Sequence, residues 1–221
     1  SLCRNLSKWL ECSSLKDVGI EEEKEVLPSV NNSPKSKNEI SGYEYVDLGL
    51  PSGLKWATCN VGAESPEDYG DYYAWGETST KSEYTEENSL TYGESMSDIS
   101  GNITYDVARK KWGSSWRLPT RSEFEELLKK CKWMWTTQNG VWGYKVTGPN
   151  GNSIFLPAAG FRGGSSLYGA GGTGSYWSSR SYDSSRPYDT DSVYSLYFYR
   201  GYINTDWKRR SYGRSVRPVS E

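Results

Sequence analysis

The chain has 221 residues, with 26 Lys and Arg against 28 Asp and Glu, for a net charge of −2. That balance supplies no general field for nucleic acid, and no run of ~18 apolar residues offers a membrane-spanning helix. Histidine is absent, which removes the commonest general base, the commonest metal ligand and every Ser-His or Cys-His nucleophile.

Hydrophobic residues make up only 35%, yet there are 10 Trp and 18 Tyr against 4 Phe. Most aromatic groups therefore carry a polar handle that must reach a partner or water. With 23 Gly as well, the composition suits short strands and many turns rather than a helical bundle. The length fits one domain plus an arm. The chain has neither an initiating Met nor a signal peptide. It reads as a trimmed piece, with a signal, anchor or domain expected upstream. Cys3, Cys12, Cys59 and Cys131 form no C-x-x-C pair, which argues against a zinc ribbon. Cys59 and Cys131 are either a disulfide of an exported protein or two buried free thiols.

Residues 1–40 read as an N-terminal arm. Leu2, Leu6, Trp9, Leu10 and Leu15 fall roughly on one helical face, and the polar stretch that follows has linker composition. The helix is either a docking element or a remnant of an upstream domain. The domain proper spans 41–221. Tyr45–Leu48 and Leu54–Cys59 read as strands around a Pro51-Ser52-Gly53 turn. Asp68–Glu77 is aromatic and irregular, and 78–104 reads as a long surface loop. Tyr105–Trp112 reads as a short helix. The clearest helix start is Thr120, which caps, with Glu123 closing a capping box. Phe124, Leu127, Leu128 and Cys131 then recur at helical spacing. Val141–Val146 and Ser153–Leu156 flank a Gly148-Pro149-Asn150-Gly151 hairpin turn. The Gly-rich run 169–174 contains neither G-x-G-x-x-G nor G-K-[ST] and reads as a plain loop.

The last stretch differs in kind. From Arg180 to Arg214, 23 of 35 residues are Tyr, Ser, Arg or Asp. Arg and Asp are rarely buried without partners, so this mixture makes a poor core and a good contact surface. Tyr supplies rigid amphipathic area, Ser and Gly adaptable hydrogen bonding, and Arg planar multi-donor contacts. In 194–199 a period of two sets Tyr194, Leu196 and Phe198 against Ser195, Tyr197 and Tyr199. If Leu196 and Phe198 are core, the second set is displayed. The candidate ligand-binding residues are Arg180, Tyr182, Tyr188, Ser195, Tyr197, Tyr199, Arg200, Tyr202, Asn204, Asp206, Arg209, Arg210 and Tyr212. Some of these tyrosines are expected only to cover the sheet.

Several motifs in order resemble the Fibrobacter succinogenes major paralogous domain, a family abundant in Bacteroidetes. They are Val46–Gly53, Trp56–Ala63, Tyr73–Thr78, Trp116–Thr120, Phe155–Gly160, Tyr176–Ser179 and Ser215–Val219. The resemblance covers about 43–221. It implies an α+β, C-type-lectin-like fold with short strands, two helices and long irregular loops, in the branch that includes formylglycine-generating enzymes. It also implies that the strand near Tyr45 meets the strand at Val216, and that 176–214 lies on one exposed face. A sub-group of such domains is similar to the variable proteins of diversity-generating retroelements. Mutagenesis at adenines of Asn codons yields Tyr, Ser, Asp, Arg and Gly but not Glu, Gln, Lys, Met or Trp. Between Arg180 and Arg214 only Trp207 and Lys208 fall in the unreachable set. A paratope-like surface would share that composition without the mechanism.

The expectation is a non-catalytic binding or adhesion module at the cell surface or outside the cell. Its ligand would be a protein or glycan on another cell, a phage or a host. Eight Lys or Arg against four Asp between Tyr176 and Val219 favour an acidic partner slightly. No cofactor, metal or nucleic acid is implied, and the oligomeric state is left open. Three alternatives stand beside this. An enzyme of the formylglycine-generating type would need a late cysteine pair, and no Cys follows Cys131. Acid–base chemistry by Asp183, Asp189, Asp191 or Glu77 has nothing to mark it. A calcium-dependent lectin could use 189–192, but the Glu-Pro-Asn, Gln-Pro-Asp and Trp-Asn-Asp signatures are absent. A structural surface domain is the third.

Overall fold

The computed structural model describes residues 38–182 and 191–221, all within the compact unit Lys37–Glu221. The expected arm helix and Tyr188 lie outside the described residues. The fold is α+β, with two helices among antiparallel strands. Strands β1 (Glu39–Ile40), β2 (Tyr43–Asp47) and β3 (Lys55–Ala57) open the domain. Glu39 and Ile40, placed in the arm by composition, are thus part of the sheet. Leu48 and Leu54, expected inside the two strands, sit just outside them and are buried in the core.

No helix or strand occupies 58–106. Its latter part is irregular as expected, but it is not simply surface. Tyr84, Thr91 and Ile99 are buried, and isolated bridges tie Tyr84 to Gly164 and Asp98 to Arg180. Buried side chains, not a ladder, anchor it. Helix α1 (Val107–Trp112) follows. Its cap, Asp106, is fully buried and accepts four backbone N–H bonds, from Gly101, Ala108, Arg109 and Leu118. Helix α2 (Arg121–Lys130) starts with the capping box that Thr120 and Glu123 predict. Glu123 also takes a bidentate pair from Arg117.

Strands β4 (Lys132–Gln138), β5 (Val141–Thr147) and β6 (Ser153–Pro157) form one meander. The second hairpin was expected; β4 was not. A small hairpin, β7 (Phe161–Gly163) and β8 (Ser166–Tyr168), precedes β9 (Thr173–Ser181), β10 (Ser192–Tyr199) and β11 (Tyr202–Arg209), which form a sheet in the order β11-β10-β9. The last strand, β12 (Val219–Ser220), pairs with β3, so the start and end of the domain share the sheet β1-β2-β3-β12.

Two large buried clusters, with a smaller third of Tyr72, Ala74 and Tyr84, fill the interior of the described residues. One joins Leu48, Trp56, Phe124, Leu127, Tyr176, Leu196 and Phe198. The other joins Trp75, Trp112, Trp116, Trp177, Val107 and Val216. The indole N–H groups explain how so many Trp can be inside. Trp75 donates to Ser178 O, Trp177 to Tyr73 O and Trp116 to Ile40 O, so these three polar handles find carbonyls, whereas the equally buried Trp56 Nε1 has no acceptor. Arg217, fully buried, donates to Asn60 Oδ1, Ala57 O and Thr58 O. That contact joins the Trp56–Ala63 and Ser215–Val219 motifs. Cys59 and Cys131 are partly buried free thiols, and burial pushes the Cys131 thiol up to about 11.

Candidate ligand-binding face

β10 and β11 are joined by Arg200 and Gly201, and Gly201 takes a φ of +85° that favours glycine. This tight connection fixes the register: Tyr199 opposes Tyr202, Tyr197 opposes Asn204 and Ser195 opposes Asp206. Opposed residues share a face. Leu196 and Phe198 point the other way and are fully buried, beneath β9–β11, where α2 also packs.

The displayed side carries a ring cluster. The Tyr199 and Tyr202 rings stack with centroids 5.0 Å apart. Tyr197 lies 6.2 Å from Tyr199 and 6.5 Å from Tyr202. Tyr199 keeps 45% of its surface in solvent. Arg200 and Asn204 are exposed beside it. Lys208 Nζ sits 4.4 Å over the Tyr197 ring and 2.6 Å from Asp206 Oδ2. The face continues over Tyr212, which stacks on Phe161 at 5.9 Å, and onto exposed Tyr168, which stacks on Phe161 at 5.6 Å.

Two candidates are corrected. Ser195 is fully buried, and its hydroxyl donates to Asp206 O, so it is frame. Arg210 is 1% exposed, donates to Thr91 O and Glu94 O and lies over the Trp75 ring. It closes the irregular segment onto the core. Ser195 sits on the middle strand opposite Trp177, which belongs to the second core, so that end of the displayed side is covered. Arg210 lies past the end of β11, where alternation within a strand no longer reports. Arg209 is exposed and paired with Glu86. Asp206 is half-buried in its pair with Lys208.

Arg180 and Tyr182 belong to a different patch. Tyr182 lies 5.2 Å from Tyr194 and 6.1 Å from Trp207. The Arg121 guanidinium covers Tyr194 at 4.1 Å. A hollow of about 560 Å³ there is lined by Arg121, Ser122, Glu125, Arg180, Ser181 and Tyr194. The sequence reading missed Trp207, which is 52% exposed. It also missed Arg121, Phe161 and Tyr168. Alternation across 161–168 around Gly163-Gly164 was the available signal for the last two.

A family model described as a domain of unknown function, DUF8237, matches residues 133–219. The match runs from β4 to β12 and takes in the whole tyrosine face. No curated protein and no solved structure matches the chain.

One further residue stands directly behind the face. Arg214 is 3% exposed. Its guanidinium lies among the rings of Trp177, Phe161 and Tyr212, at 4.6, 5.2 and 5.6 Å. Burial pulls its pKa down to about 9, so it is charged at neutral pH. Glu77, considered for acid–base work, is held by Lys81 at 2.9 Å and by the Leu90 N–H. Among the described residues no group of three or more Cys, Asp or Glu is placed to hold a metal. None of the described helices is long and apolar enough to cross a membrane.

Proposed function

We propose that this chain is a non-catalytic ligand-binding or adhesion module. A C-type-lectin-like frame of the Fibrobacter succinogenes major paralogous type would display the tyrosine face to a protein or glycan on another surface. The observation that carries the reading is the division of β10. Leu196 and Phe198 supply the core, while Tyr197, Tyr199 and Tyr202 form a ring cluster on the opposite side that the core does not use. Rigid aromatic groups of this kind anchor interfaces, with Arg and Asn giving orientation. The meeting of the domain's ends in one sheet supports the lectin-like frame. Tyr197, Tyr199, Arg200, Tyr202 and Asn204 are all residues that adenine mutagenesis of Asn codons leaves or produces, which supports a face diversified by a retroelement. The cell surface or the space outside the cell is the setting this function needs.

The test compares the full chain with Tyr197→Ala/Tyr199→Ala on arrays of glycans and of bacterial and host surface proteins. The double variant should unfold at nearly the same urea concentration as the wild type. Two lost aromatic anchors should weaken every wild-type hit by roughly 100-fold or more. Hits that survive the double substitution, or a double variant that no longer folds, refute the assignment.

A further inference from the structure

Away from the tyrosine face, the irregular segment makes an excursion that closes on itself. At its neck Thr91 Oγ1 donates to Trp75 O at 2.6 Å, and Leu90 N to Glu77 Oε1 at 2.9 Å. Within the neck Lys81 reaches across to Asn88. Its Nζ donates to Asn88 Oδ1 at 3.0 Å and to Asn88 O at 2.8 Å. The same Nζ lies 2.9 Å from both Oε1 and Oε2 of Glu77. Lys55, Lys111, Lys129 and Lys208 meet a carbonyl or carboxylates instead. The three groups are held in place. The Glu77 side chain is 4% exposed and that of Lys81 19%. Buried Tyr84 accepts from Lys81 N and donates to Tyr72 O. The Asn88 amide is oriented from both ends: Nδ2 donates to Glu83 O at 3.0 Å, and Oδ1 also accepts from Thr85 N at 3.3 Å.

An amine, a primary amide and a buried carboxylate in mutual reach are the groups that amide exchange requires. We propose that Lys81 and Asn88 join in an intramolecular isopeptide bond, with Glu77 as the proton carrier. One Nζ proton passes to Glu77, which leaves a neutral amine with a free electron pair. That pair attacks Cγ of Asn88 and pushes the carbonyl π electrons onto Oδ1, where the Thr85 N–H meets the developing charge. A second Nζ proton goes to Nδ2. The electrons return from Oδ1, the Cγ–Nδ2 bond breaks, and ammonia leaves with the proton that Glu77 held. An ammonium and a primary amide thus become a secondary amide and an ammonium ion, and Glu77 is a carboxylate again. Nothing is oxidised or reduced. Fixing both reactants in one excursion removes the entropy cost of bringing them together. The bond also suits its place. Residues 60–130 contain no cysteine, so no disulfide can close this segment, and a covalent closure of another kind would restrict the unfolded chain as a disulfide does.

The test weighs the full chain. The protein is folded, left to stand overnight, denatured and measured by electrospray mass spectrometry. It should be lighter than the mass of its sequence by one ammonia. After digestion with trypsin the loss should lie in a peptide left uncut at Lys81, because an acylated lysine is not a trypsin site. Hydroxylamine should leave that peptide unchanged. Lys81→Arg and Asn88→Ala should keep their full mass, and Glu77→Gln should form the bond at least ~100-fold more slowly. A wild-type chain of full mass overturns the proposal. So does a loss that hydroxylamine opens, which marks a succinimide, or conversion of Asn88 to Asp by water, or a loss that persists in Lys81→Arg. Formation at the wild-type rate in Glu77→Gln refutes the role given to that carboxylate. The wild-type mass decides the bond even if the variants do not fold.

Discussion

Asp106 offers a direct test of what holds the irregular half of the domain. Its Oδ1 caps α1 by accepting from Ala108 and Arg109 at 2.9 and 3.1 Å. Its Oδ2 accepts from Gly101 and Leu118 at 2.8 and 2.9 Å. One side chain therefore joins the long loop, the helix start and the strand-like run before α2. Asp106→Asn keeps the cap oxygen but turns an amide N–H₂ toward two N–H donors. Each orphaned buried donor costs about 1–2 kcal/mol, so the loss should be roughly 2–4 kcal/mol, reduced somewhat because no charge is buried. Asp106→Ala also loses the cap and should cost about 1 kcal/mol more. Equilibrium unfolding in urea, followed by tryptophan fluorescence, reads this directly. With a slope of about 3 kcal/mol per M, the Asn variant should unfold about 1 M earlier. An Asn variant within about 0.2 M of wild type, or an Ala variant equal to Asn, would show that the carboxylate is not the joint described.

Two other outcomes are expected. The hydroxyls of Tyr72, Tyr84 and Tyr176 donate to Ala159 O, Tyr72 O and Pro157 O, and that of Tyr73 to the Asp71 carboxylate. Burial raises all four above the usual value of 10.0, Tyr72 to about 12. An acid held neutral in the folded state stabilises it fully below the unfolded pKa, and that contribution is lost as pH rises through the folded one. Stability should thus decline from about pH 10 upward. Absorbance at 295 nm should show the buried tyrosines ionising together with unfolding; their titration in a still-folded chain would contradict the burial. At the gene, a diversified face requires a nearby reverse transcriptase and a near-repeat of the coding stretch for 176–219 that differs only at adenines. A neighbourhood with neither would mean a face of fixed specificity.

The motifs that carry the family resemblance have physical jobs in the frame. Trp56–Ala63 and Ser215–Val219 meet through Ala57 N to Pro218 O, Val61 N to Val216 O and the Arg217 side chain. Trp116–Thr120 brings Arg117 to Glu123 and to β12. Tyr176–Ser179 fills β9 between the two cores. The face lies on neighbouring residues that the frame leaves free.

What the sequence determined alone was local. Thr120 with Glu123 marked the start of α2, Gly148–Gly151 marked a hairpin, and alternation at 194–199 separated Leu196 and Phe198 from Tyr197 and Tyr199. Caps, turns and period-two patterns depend on residues within a few positions of one another, so they can be read along the chain. β4 was legible as well and was missed: Asn139-Gly140, both at positive φ, is a two-residue hairpin signal that joins it to β5. The tertiary structure alone decided the rest: that Arg180 and Tyr182 face away from Tyr197, that Ser195 and Arg210 are buried, and that Arg214 stands behind the rings. Each depends on partners far away in sequence, such as Thr91 for Arg210 and Ser175 for Arg214. An arginine's composition class says surface; only the carbonyls and rings that the fold brings to it say whether it is frame or contact.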